Sequence, residues 1–280
     1  MALYAFDGTW QKEEEEAGYE NTNIVRFRDA YTEKTCYYRG IGTRGGKVLR
    51  LIAGATGLGG TLRIWEAEDD LTKQLDRGDK TIDIVGFSRG AALALDFANE
   101  IAERAKKDAL RVRFLGLFDT VHSFGVAGID LNLIHDPDLP DIVDQCFHAL
   151  ALDERRDTFR PTRVPRGYEV WFRGVHSDIG GGNDNPGLNT ITLKWMLSKA
   201  TAVGLPIRSE SITELENELD PDASIKPAKF DPIKDPHRDL ESTDVIHYTV
   251  ATRTTGDHNN PPDALLRETE EDERDLVKRS

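Results

Sequence analysis

Residues 80–107 read KTIDIVGFSRGAALALDFANEIAERAKK. The stretch opens as a compact apolar run and continues as a segment with Leu93, Phe97 and Ile101 at helical spacing. A strand that passes at once into an amphipathic helix is predicted, and the junction is Gly86-Phe87-Ser88-Arg89-Gly90. A bare G-x-S-x-G is a common pattern, but one that ends a strand and opens a helix has the setting of a nucleophile elbow. There the serine occupies a strained turn, so only small neighbours let strand and helix approach. Gly86, Gly90, Ala91 and Ala92 supply them. The helix start also presents amides and a positive dipole end to charge developing on the serine. An ordinary strand-to-helix turn is the alternative.

Outward from this junction, apolar runs alternate with helix-like segments, which predicts an α/β fold: a mostly parallel central sheet with helices on both faces. Residues 2–6 (ALYAF) and about 36–38 read as strands, as do the runs RVRFLGLFD (111–119) and YEVWFRGVH (168–176). Ile64, Ala67, Leu71 and Leu75 mark a helix, and NTITLKWMLSKATAVGL (189–205) reads as an amphipathic one. The pattern loosens over 123–156, where Pro137 and Pro140 predict a cap segment above the sheet. The Pro- and Asp-rich run 220–240 reads as a surface loop, and 268–280 as a solvated charged tail. With neither repeat nor linker, residues 1–280 are expected to form a single domain.

A serine hydroxyl needs a base and an orienting acid before it becomes a useful nucleophile. In hydrolases with this elbow they follow in the order Ser, Asp, His at strand ends. Asp119 follows FLGLF and His176 follows VWFRGV, so Ser88, Asp119 and His176 are the candidate catalytic residues. His122, three residues past Asp119, is placed to line the same cleft, but a base usually arrives on a later loop. His135, His148 and His237 sit in irregular or helical contexts, and His247 is the best rival. Asp178, two residues past His176, suits fixing the loop HSDIGGGN, whose Gly180, Gly181 and Gly182 let it fold tightly on the elbow. Arg155 and Arg156, paired cations in an acidic chain, are the candidate substrate-binding residues, with pairing to Asp153, Glu154 or Asp157 as the structural alternative.

Asp7-Gly8-Thr9 resembles the opening of an aspartate-nucleophile phosphatase, D-x-D-G-T. The nucleophile position holds Ala5, so the stretch needs another role. The amides of Gly8 and Thr9, with that of Arg89, are the candidate oxyanion hole, and Asp7 is read as the organiser of its loop. The glycine clusters at 40–47 and 54–61 lack the G-K-[ST] ending of a phosphate loop. No ligand spacing points to a metal, and no cofactor is expected.

The net charge is −14, which argues against nucleic acid and against electrostatic docking on anionic lipid. No run approaches the roughly 18 apolar residues of a spanning helix, so no transmembrane segment is expected. Cys36 and Cys146 are the only cysteines and form no C-x-x-C pair. No secretory signal is visible, so the default expectation is cytoplasmic, with export by a route that needs no cleavable signal left open.

FDGTW, NTN, YYRGIGT, GDKTIDIVGFSRGA, FLGLFDTV, HALALDERR, VWFRGVHSDIGGG, ITLKWM, IHYTVATR and NNPPDAL together resemble the catalytic domain of type VI secretion lipase effectors over nearly the whole chain. The resemblance implies an α/β-hydrolase-like fold, a triad at Ser88, Asp119 and His176, and phospholipase action on ester bonds. It also implies a toxin used against competing bacteria, with an immunity or secretion partner. Gln11, Tyr248 and Thr249 depart from the usual family residues. The expectation is therefore a serine hydrolase cleaving carboxylic esters of a lipid or small ester through an acyl-enzyme. A catalytically silent interaction module on the same fold and an Asp7-dependent phosphatase are the alternatives.

Overall fold

The computed structural model describes residues 1–8, 20–40, 58–121, 138–225, 236–253 and 258–274. Its centre is an 8-stranded sheet. The strands are β1 (Ala2–Phe6), β2 (Lys34–Tyr38), β3 (Thr81–Phe87), β4 (Arg111–Phe118), β5 (Cys146–Ala151), β6 (Tyr168–Phe172), β7 (Val245–His247) and β8 (Leu266–Glu268). They lie in the order β2-β1-β3-β4-β5-β6-β7-β8, and every pairing is parallel. The chain steps from β1 out to β2, then returns to the other side of β1 for β3. Such a reversal opens a crevice above the carboxyl ends of the two strands, the usual place for a ligand in open α/β sheets. Here those ends are Phe6-Asp7 and Phe87-Ser88, with Phe6 in register with Gly86.

Alternate side chains of the strands feed two cores. Ala2, Tyr4 and Phe6 face helices α2 (Leu58–Leu75) and α3 (Arg89–Asp108), packing with Leu71, Phe97 and Ile101. Leu3 and Ala5 face α1 (Asn23–Ala30), α5 (Pro186–Ala202) and α6 (Ser209–Leu215), among Phe27, Phe114 and Trp195. The helices thus cover both faces, as the alternating pattern predicts.

Three expectations change. Within the predicted cap 123–156, residues 146–151 form β5 in the middle of the sheet, paired to β4 and β6. Two prolines upstream hide the strand; residues 123–137 of that stretch lie outside the described residues. Helix α5 is buried on nearly all sides instead of amphipathic, because sheet, α1, α6 and the last elements enclose it. Of the charged tail, residues 269–272 and 274 are exposed as expected, but two glutamates are not. Glu268 at the end of β8 and Glu273 in α7 (Glu270–Arg274) are each 2% exposed. Glu268 pairs with Lys199 at 2.7 Å and accepts from Trp195 Nε1 at 2.7 Å, while Glu273 pairs with Lys194 at 3.0 Å. The acids sit inside because α5 brings two lysines inside, and a buried charge needs its opposite. Residues 275–280 lie outside the described residues.

Candidate active site

Ser88 joins β3 to α3 with φ 60° and ψ −127°, a region a non-glycine residue rarely enters. The turn survives because its neighbours carry no bulk. A Cβ on Gly86 would lie 2.6 Å from Ala91 Cα, and one on Gly90 would run into the carbonyl oxygens of Phe6 and Asp7. The elbow therefore rests on the end of β1. Ser88 N donates to Phe118 O at 3.0 Å, which ties the turn to the end of β4.

Asp119 begins immediately beyond β4, also at positive φ, 40°. His176 opens the short helix α4 (His176–Gly180) beyond β6. The three side chains meet. His176 Nε2 lies 2.8 Å from Ser88 Oγ and Nδ1 lies 2.7 Å from Asp119 Oδ2. Phe87 and Phe159 flank the imidazole with ring centroids at 4.8 Å each, and Ser88 and His176 are both 6% exposed. Low exposure strengthens electrostatics along this chain of bonds.

Asp119 is completely buried. Burial alone would raise its pKa, but the Arg238 guanidinium and His176 outweigh it and hold the carboxyl well below the usual carboxylate range. Arg238 Nη1 donates to Oδ1 at 2.6 Å and Nη2 to Oδ2 at 3.1 Å, and the Ala151 amide donates to Oδ1 at 2.9 Å. The run 220–240 gave no sign of this: one arginine among prolines and aspartates reads as surface. A second partner also escaped the sequence. Glu154 Oε2 accepts from the backbone amide of His176 at 3.2 Å and so steadies the start of α4.

Arg156 serves that glutamate. Its Nε and Nη2 donate to Glu154 at 2.9 and 2.8 Å, and its guanidinium lies 3.6 Å above the Phe159 ring. Despite burial, which acts to raise it, the Glu154 carboxyl is lowered by this arginine. The structural alternative thus describes Arg156. Arg155, with Arg156, Phe159, Trp171, His237 and Arg238, lines a cavity of about 320 Å³ beside the Asp119–Arg238 pair. Asp178 fixes its own loop, accepting from Val175 N, Asn183 Nδ2 and Asn185 Nδ2 at 2.9, 2.8 and 2.8 Å.

Asp7 is 2% exposed and its carboxylate accepts from Gly8 N at 2.7 Å, Thr22 Oγ1 at 2.9 Å and Tyr37 OH at 2.6 Å. Burial pushes its pKa up to about 6, these bonds opposing the rise. A carboxylate so enclosed is badly placed to attack phosphorus. Thr22 also bridges to Gly181, and Asn23 Nδ2 donates to Ile179 O at 2.9 Å, so the NTN stretch links the Asp7 loop to the His176 loop. One correction follows for the oxyanion candidates: the Gly8 amide points at Asp7, not into the crevice. Thr9 lies outside the described residues. The Arg89 amide stands at the first turn of α3 beside Ser88, and burial lowers the Arg89 guanidinium to about 10.

Two of the rival histidines, His247 and His148, are engaged elsewhere. His247 on β7 is buried, bonded to Thr249 Oγ1 at 2.7 Å and stacked on Phe172, and burial lowers its pKa. His148 is not in an irregular context: it belongs to β5, where it takes Thr120 N at 3.1 Å and faces Glu169 at 3.0 Å. His122 and His135 lie outside the described residues. Among the described residues no cluster of His, Cys, Asp and Glu has the makings of a metal site, and no helix is long and apolar enough to cross a membrane.

The family model described as "T6SS, Phospholipase effector Tle1-like, catalytic domain" matches residues 3–102 and 94–199. An uncharacterised protein of Saccharomyces cerevisiae is 29% identical over 75 residues, 25% of this chain and 11% of that protein. The crystal structure of an uncharacterised protein from Pseudomonas aeruginosa aligns with a TM-score of 0.55 at 21% identity, covering 80% of this chain and 48% of that one. That likeness concerns the fold. The chain thus spans about half of the structural neighbour and about a tenth of the yeast protein.

Proposed function

We propose, for a chain that belongs to the Tle1-like phospholipase effector catalytic-domain family of type VI secretion, that it hydrolyses carboxylic ester bonds of lipids through an acyl-enzyme on Ser88. The observation that carries the reading is the unbroken chain from Ser88 Oγ to His176 Nε2 at 2.8 Å and from His176 Nδ1 to Asp119 at 2.7 Å. Oγ attacks the ester carbonyl carbon while Nε2 takes its proton. The tetrahedral oxyanion lies against the Arg89 amide at the positive end of α3. On collapse the carbon–alkoxy bond breaks and the alcohol leaves with the proton from Nε2. Water then adds to the acyl-serine, giving its proton to Nε2. Oγ departs, recovers that proton, and the carboxylic acid is released. Asp119 stabilises the imidazolium throughout.

Arg155 is proposed as a contact for the polar end of the substrate, since it lines the cavity beside the triad. Arg156 contributes there indirectly, through Glu154 and His176. Membership of a secretion-effector family supports delivery out of the producing cell and a cognate inhibitory partner there. A fluorophosphonate probe tests the chemistry. It is expected to label the native protein and fail on Ser88→Ala; labelling that survives that change sinks the proposal.

A further inference from the structure

Arg238 does more than one carboxylate requires. Besides gripping both oxygens of Asp119, it donates from Nη1 to Ala151 O at 2.7 Å and from Nη2 to Phe159 O at 2.5 Å. The first bond reaches the end of β5. The second reaches the residue whose ring packs edge-on to His176. The side chain is 7% exposed, and among the described residues its Nε has no hydrogen-bond partner, so the hydrogen bonds run from the two terminal nitrogens. The backbone is anchored in turn: Arg238 O accepts from Asn259 Nδ2 at 2.9 Å, and Asn259 N donates to Asp153 Oδ1 at 2.9 Å. Both residues lie beyond position 199, where the family match stops.

We propose that Arg238 is a positioning residue for the hydrolysis: its fork keeps Asp119 ionised with Oδ2 aimed at His176, and thereby sets the pH below which Ser88 loses its base. The inference rests on the serine-hydrolase reading above. The groups that face one another are few. Asp119 meets Arg238 from the 236–240 segment and His176 from α4. His176 meets Ser88, the Phe87 and Phe159 rings, and Glu154 through its amide, with Arg156 neutralising Glu154. Among the described residues Arg238 is the one arginine or lysine bonded to Asp119. A carboxyl this buried takes up a proton far more readily once the guanidinium is gone. Neutral Asp119 no longer orients the ring. Lysine would restore the charge but not the planar two-pronged grip.

The test follows kcat/KM for a neutral short-chain ester, and the rate of fluorophosphonate labelling, across pH for the native protein, Arg238→Gln, Arg238→Lys and Asn259→Ala. Arg238→Gln is expected to move the acid limb up by about 1–2 pH units. Arg238→Lys should leave the limb close to the native position and lower kcat about tenfold. Asn259→Ala should shift the limb upward by less than Arg238→Gln. An unmoved limb in Arg238→Gln, with activity lowered evenly at every pH, would overturn the proposal and leave a purely structural arginine. Should Arg238→Gln not fold, Arg238→Lys decides: unchanged kcat and KM would overturn the role. Labelling that persists in Ser88→Ala would instead defeat the serine-hydrolase reading itself, whereas Ser88-dependent labelling with an unmoved limb defeats the Arg238 role alone.

Discussion

Gly180 lies against the ring of Phe87 so closely that a Cβ at position 180 would overlap its ring carbons. Phe87 precedes Ser88 in the elbow, and its ring packs on His176 with centroids 4.8 Å apart. One added methyl would therefore press on both ends of the Ser88–His176 bond. Gly180→Ala is expected to cost about 1–3 kcal/mol of stability through overpacking. Labelling of Ser88 should slow by about tenfold or more, through misplacement of the ring. Thermal unfolding and labelling rates check the two effects, and native labelling in a destabilised variant would mean that the Phe87 ring does not carry the strain to His176.

Ser88→Ala should abolish ester hydrolysis while the fold survives, since one oxygen is removed. Asp119→Asn should lower turnover on the order of 10⁴ by favouring the wrong histidine tautomer. His176→Ala should silence the protein, whereas His247→Ala should lower its melting temperature and spare Ser88 labelling in whatever remains folded. The opposite pattern for the two histidines would identify His247 as the base.

Asp7 gives a pH signature. Its folded-state pKa of about 6 lies above the ordinary aspartate value, so its ionisation opposes folding. Below the unfolded value, near 4, that penalty is absent; it grows as pH rises to about 6 and stays constant above, reaching roughly 3 kcal/mol. Asp7→Asn lacks this dependence. The stability of the native protein relative to Asp7→Asn should therefore fall as pH rises from 5 to 7, in denaturant titrations at each pH. Activity should also drop in Asp7→Asn because the loop under the elbow is disturbed, with Ser88 still labelled. A phosphorylated Asp7 would contradict both the packing and the proposed chemistry.

The arginines divide. Arg156→Ala frees Glu154 from its partner and strips the cover from Phe159, so hydrolysis of neutral and anionic esters should fall together, with a lower melting temperature. Arg155→Ala should raise KM for an anionic ester several-fold and leave a neutral one nearly unchanged. Equal losses in Arg155→Ala would remove it from the substrate site.

Glu268→Gln should destabilise by about 3–5 kcal/mol, because Lys199 then keeps a buried charge without its counter-ion. Changing the pair together, with Lys199→Met and Glu268→Gln, should return much of that loss in a double-mutant comparison. A neutral Glu268→Gln would show that the carboxylate does not carry the interior charge balance.

The elbow, the strand ends that follow it and the alternating pattern were legible because each is written locally. Small residues must surround a strained serine, and Asp119 and His176 each close an apolar run. What depends on distant segments was not legible. Strand β5 is masked by the prolines before it, and Arg238 and Glu154 acquire meaning only when the sheet brings residue 151 beside 119 and 154 beside 176. The acidic tail misleads for the same reason. Glutamates in a charge run look solvated until helix α5 buries Lys194 and Lys199 against them.

That burial also orders events in time. Lys199 cannot settle into the interior until residue 268 has been synthesised, and Asp119 meets its guanidinium only after residue 238. At about 5–20 residues per second, a ribosome finishes the intervening stretch several seconds after the serine, aspartate and histidine have all been made. Through that interval the nascent chain carries Ser88, Asp119 and His176 without the guanidinium that grips Asp119. Under the proposed chemistry, Ser88 therefore gains an ordered base only once residue 238 has been made.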